Sequence, residues 1–183
     1  MKRSSLIALF MVVFLVTAMT VAFAGKMHFN QSPTVTLGSL TVAGDLVGVG
    51  GGQGALVTVT GSGTAEVVAM CENKGGNQAP GQNPLVAQVT SSDTFGPVPD
   101  NGKVHIELEI PDPTAADVIG NLTKKQAGCP NGNWKVVGID ASSVDWVFLN
   151  ITATSPSNPT YVIEGPCETN LTAGTITCEL SEV

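Results

Sequence analysis

Apolar and polar residues alternate along much of this chain in short runs bounded by Gly, Pro, Asn and Asp, the pattern of strands with one buried face. The cleanest run sets Val104, Ile106, Leu108 and Ile110 against Lys103, His105, Glu107 and Glu109. Val57 and Val59 alternate with Thr58 and Thr60, and Ala65, Val67, Ala69 and Cys71 share one face of the run that follows. Val35 and Leu37 lie in one phase, Leu40 and Val42 in the other. That switch predicts a bulge or kink at Gly38-Ser39 that re-aims one strand. Residues 85–90, 134–139, 144–154, 161–164 and 175–180 bring the total to about nine strands. Only residues 113–125 suggest a helix, with Asp112 as cap, Pro113 in the first turn and Val118, Ile119 and Leu122 as a stripe that Gly120 weakens. No period repeats. The expected fold is all-β, a two-sheet antiparallel sandwich of the immunoglobulin-like kind.

The first 24 residues follow a different rule. Lys2 and Arg3 precede an unbroken apolar run over residues 6–16, and Ala22-Phe23-Ala24 supplies a small-residue exit before Gly25. This is the layout of a cleaved secretion signal, leaving residues 25–183 as a single β domain. No second apolar run of membrane length follows, so no membrane span is expected after signal removal. Export places the four cysteines in an oxidising compartment, where disulfides are expected and metal ligation is not. No C-x-x-C spacing is present to hold zinc.

Charge narrows the partners. The chain carries 8 basic and 15 acidic residues, and losing Lys2 and Arg3 leaves 6 against 15 with no arginine at all. Nucleic acids and anionic membranes are read by arginine forks and lysine clusters, so neither is an expected partner.

Four cysteines allow three pairings. Cys167 and Cys178 flank a turn between two strands, which favours a local staple and leaves Cys71 for Cys129. That pairing brings two polar stretches together, residues 72–84 and 128–134. They gather Asn73, Asn77, Gln78, Gln82, Asn83, Asn131 and Asn133 near Trp134. Amides both donate and accept, as sugar hydroxyls require, and an indole face suits a pyranose ring. The same residues are also what tight turns use, and a Trp beside a disulfide is a common core element of sandwiches. Trp146, inside a long β run, is expected in the core. Cys71-Glu-Asn-Lys-Gly-Gly-Asn-Gln-Ala-Pro-Gly-Gln-Asn-Pro84, with Gly128-Cys-Pro-Asn-Gly-Asn-Trp134, resembles uncharacterised small secreted bacterial proteins. The resemblance covers these two stretches alone. It implies a disulfide-stapled β domain and brings no activity.

Other constellations carry less. Residues 48–54 (Gly-Val-Gly-Gly-Gly-Gln-Gly) are followed by a Thr/Val strand where a dinucleotide loop needs a helix, no Gly-Lys-Ser/Thr closes a phosphate loop, and the stretch reads as a hairpin or inter-strand loop. His105, Glu107 and Glu109 read as a solvent face, since neighbours two apart are spaced ~7 Å. His28 falls in an N-terminal stretch expected to lack fixed structure. No G-x-S-x-G or EF-hand pattern is present, and Asp100-Asn101-Gly102 reads as a tight turn. Asn121-Leu-Thr, Asn150-Ile-Thr and Asn170-Leu-Thr are glycosylation sequons. The expectation is a secreted, non-catalytic structural or binding domain without cofactor or metal. Its candidate partners are an extracellular neutral polysaccharide or another surface protein. The rivals are a hydrolase with unidentified carboxylates and a protein-binding or inhibitor module presenting residues 48–54.

Overall fold

The computed structural model describes residues 25–183 apart from Gly38, residues 51–53 and Asn121; the expected signal segment, much of the glycine loop and one sequon lie outside the described residues. The described chain is all-β, with eleven strands in two antiparallel sheets. In chain order these are β1 (His28–Phe29), β2 (Thr34–Thr36), β3 (Leu40–Val47), β4 (Val57–Glu72), β5 (Gln78–Phe95) and β6 (Val104–Ile110). After them come β7 (Lys135–Ile139), β8 (Asp145–Ser155), β9 (Asn158–Asn170), β10 (Thr175–Cys178) and β11 (Ser181–Glu182). The four-stranded sheet sets β3 between β6 on one side and β1 and β2 on the other. The seven-stranded sheet runs β10-β9-β8-β4-β5, with β11 added to β9 and β7 to β4.

One core joins the two sheets. Leu40, Val42, Leu46, Ile106, Leu108 and Ile110 supply it from the smaller sheet, and Val57, Val59, Trp146, Leu149 and Ile151 from the larger. The alternation read from residues 103–110 holds throughout β6, whose Val104, Ile106, Leu108 and Ile110 are buried while His105, Glu107 and Glu109 are exposed. Trp146 is buried, as expected. Gly61 and Gly63 are what let the core close. A Cβ on Gly61 would lie 2.7 Å from Ile110 and 2.8 Å from Leu108, and one on Gly63 would strike the Trp146 ring.

Several expectations need correction. The phase switch between β2 and β3 reflects a hairpin, not the bulge expected within one strand, because β2 folds back on β3 with Val35 opposite Val42. Residues 57–60 and 65–71 belong to one strand, β4. The short strands β1 and β11 were not visible in the periodicity, and His28 is a β1 residue paired with Val47. The described residues of 113–125 form no helix. Their backbone borders β5 instead: Gln88 N donates to Asp117 O at 2.9 Å and Ile119 N to Val86 O at 2.8 Å. An edge strand offers unpaired backbone groups, and this segment satisfies those of Val86 and Gln88.

Candidate functional site

The end of β4 is shared by two partners. Cys71 lies opposite Ala79 of β5 and Val136 of β7, and Glu72 lies opposite Gln78 and Lys135. Between β4 and β5 the chain reverses over residues 73–77. The Asn73 side-chain oxygen accepts from Gly75 N at 2.8 Å and Asn77 N at 3.0 Å, which closes the turn from inside. Cys71 is buried and bonded to Cys129, with Cα atoms 5.8 Å apart and a sequence separation of 58. The second expected disulfide, Cys167–Cys178, is also formed, across the β9–β10 pair. Such bonds belong to an oxidising environment.

The disulfide does not act alone. Gln82 N donates to Gly128 O at 3.2 Å and Asn83 N to Ala127 O at 3.4 Å. The Asn83 amide reaches across to Gln126 O at 2.8 Å. A Cβ on Gly81 would overlap the Ala127 carbonyl, so this approach requires glycine. The far stretch is folded on itself by the same local chemistry. The Asn131 oxygen accepts from Asn133 N at 3.0 Å, Trp134 N donates to Asn131 O at 3.2 Å, and Lys124 Nζ donates to Gly132 O at 3.1 Å.

The two stretches therefore meet, but their amides divide by role. Asn73, Asn83 and Asn131 are spent on turn and inter-segment hydrogen bonds, and Gln78 Nε2 donates to Glu72 Oε2 at 3.1 Å. Asn77, Gln82 and Asn133 are exposed, and their side chains make no hydrogen bond among the described residues. Trp134 is half-buried, one residue before β7. Gln78, Gln82 and Asn83, read from the sequence as loop residues, lie in β5, where the pairing with β4 is irregular between Val68 and Met70. Sequence reading also missed the charge at the centre. Glu72 is held by Gln78 and by Lys135 Nζ at 3.2 Å, and the Gln78 bond followed by the Lys135 bond keeps its carboxyl below the ordinary range. No sequence signal marks this pair, because only the register of β7 against β4 brings Lys135 to Glu72.

Three clefts on the described surface lie away from these stretches. One of about 190 Å³ is lined by Gln31, Ser32, Thr34, Asp45 and His105 among others. There Asp45 accepts from Lys103 Nζ at 2.8 Å and sits 2.9 Å from His105 Nδ1. The Lys103 bond, then the His105 bond, lowers the Asp45 carboxyl from its ordinary value. A second cleft of about 590 Å³ lies along the β9–β10 pair at Glu168, Asn170 and Thr175. A third, about 150 Å³, lies between Phe29, Tyr161 and Leu180. Among the described residues no group of three His, Cys, Asp or Glu is placed to hold a metal ion, and no helix is long and apolar enough to cross a membrane. The chain matches no protein-family model and no curated protein.

Proposed function

We propose that residues 25–183 are a single secreted, immunoglobulin-like β-sandwich domain, non-catalytic, that binds a neutral polysaccharide at the cell surface or in extracellular material. The face-to-face core between two antiparallel sheets supports the sandwich. The signal-like first 24 residues and two disulfides support export. The ligand surface is the joined pair of stretches around Cys71–Cys129.

The observation that carries this reading is the double tie between the stretches. The disulfide and the Gln82–Gly128 hydrogen bond join the two stretches that carry exposed Asn77, Gln82 and Asn133 and the half-buried Trp134. A surface held rigid in advance loses little entropy when it binds. Exposed amides supply donors and acceptors without charge, as a neutral polyol requires. The test is retention of the purified protein on a panel of insoluble and gel-immobilised neutral polysaccharides. Retention by one of them that Trp134→Ala and Gln82→Ala weaken supports the reading. Failure to be retained by any of them, or retention unchanged in both variants, refutes it.

A further inference from the structure

The outward face of the larger sheet carries a second pattern. Register sets Thr94, Thr58 and Thr154 in one rank across β5, β4 and β8. The next rank is Ser92, Thr60 and Thr152. The third is Thr90, Ser62 and Asn150. The inward neighbours Val57, Val59, Ile151 and Ala153 are buried, so these ranks face away from the core. All nine positions are exposed or half-buried. Eight are hydroxyls, and none is charged.

That composition is not what a solvent face of this protein has to be. On β6 every outward residue is titratable: His105, Glu107 and Glu109. The ranks are also fixed in place. Threonine is stiff about χ1, and Thr60 and Ser92 share a hydrogen bond at 3.0 Å while Thr58 and Thr94 approach to 3.4 Å. Strand geometry spaces such hydroxyls by ~4.8 Å across the sheet and ~6.8 Å along it.

We infer that this face is a second binding surface, distinct from the Cys71–Cys129 stretches, and that its occupant is an extended neutral polysaccharide chain. A hydroxyl both donates and accepts, so a rank of them can exchange hydrogen bonds with a polymer that repeats the same group. The chain's acidic balance repels polyanions, and Glu164, opposite Asn150, extends that repulsion to the border of the third rank. Exposed Phe148, opposite Thr64 beside the third rank, adds an apolar face for a sugar ring. Twist selects a pliant occupant. Three strands rotate by roughly 40–50° in total, which a flexible polymer follows and a rigid crystal face, such as ice, does not.

The test is affinity electrophoresis of the intact chain through gels containing dextran, laminarin, hydroxyethylcellulose or galactomannan, with alginate as the anionic control. It is run in a Trp134→Ala background so that the loop surface does not contribute. Thr60→Val with Thr152→Val removes two central hydroxyls and keeps both shape and strand propensity. We expect retardation by at least one neutral polymer to weaken by about tenfold in that double variant, with alginate giving none. Ser92→Glu, on an exposed position of β5, gives the same loss without touching the middle strands. Circular dichroism verifies that each variant is folded. The inference is overturned if Trp134→Ala alone abolishes retardation, if neither grid variant changes it, if alginate is preferred, or if none of the polymers retards the protein, whether or not it shapes ice crystals.

Discussion

Cys71 and Cys129 are bonded across a sequence separation of 58, and the bond lies beside the place where Gln82 N meets Gly128 O. One covalent link and one backbone link thus hold the same two segments. The chain-entropy treatment assigns about 4 kcal/mol to closing a loop of this length and about 3 kcal/mol to the short Cys167–Cys178 loop. Cys71→Ala with Cys129→Ala should therefore lower unfolding stability more than Cys167→Ala with Cys178→Ala. Urea unfolding of both double variants, compared with the oxidised parent, checks the order.

The two tryptophans should respond in opposite ways to the same truncation. Trp146 is buried against Gly63, and Trp146→Ala should cost about 3–5 kcal/mol. Trp134 is half-buried at the edge of β7, so Trp134→Ala should cost much less stability and should instead weaken polysaccharide retention. Thermal melts paired with retention assays separate the two effects.

Gly63→Ala places a methyl where the Trp146 ring already lies. Overpacking of this kind typically costs about 1–3 kcal/mol. The reduced melting temperature should be accompanied by a changed Trp146 fluorescence maximum, since the ring must shift to make room.

Asp45 supplies the pH dependence. Lys103 and His105 hold its carboxyl below the ordinary value of 3.8. A group depressed by folding contributes stability that is complete above its unfolded value and is lost as pH falls through its folded value. Asp45→Asn should be less stable than the parent at neutral pH. The gap should narrow below pH 3.8 and close once Asp45 is protonated in the folded parent. Exposure and screening keep the effect small. Urea midpoints of parent and variant across that range measure it.

How much of this was legible in the residues depends on whether a signal is local. The β6 alternation is complete in the chain itself, and the structure buries the same four side chains. The phase change between Leu37 and Leu40 is just as visible, but a bulge and a hairpin shift phase alike, and only the pairing of Val35 with Val42 separates them. Gly61 and Gly63 look like an interruption between two strands. They are strand positions emptied to admit Ile110, Leu108 and Trp146, neighbours far away in sequence. Residues 113–125 have a cap and a partial apolar stripe, yet the open edge of β5 captures Asp117 and Ile119. The Asp117 carboxylate accepts from Thr114 N at 2.7 Å and closes a local turn there instead of a helix.

The candidate surface divides along the same line. The cysteine spacings pointed to Cys71–Cys129, and through it to contact between the two amide-bearing stretches. Which amides remain exposed was not readable, because Asn73, Asn83 and Asn131 are consumed by backbone partners that appear only once the turns close. The hydroxyl ranks were equally hidden. Thr58, Thr60, Thr152 and Thr154 read as ordinary strand residues until β4 and β8 are set in register.

The most direct test of polysaccharide binding at the Cys71–Cys129 surface is backbone hydrogen exchange, followed by mass spectrometry, with and without a neutral polymer that retains the protein. Slower exchange in residues 73–84 and 124–134, with or without a second footprint on the hydroxyl face, is the predicted result. Unchanged exchange in both segments while the polymer is bound would contradict it.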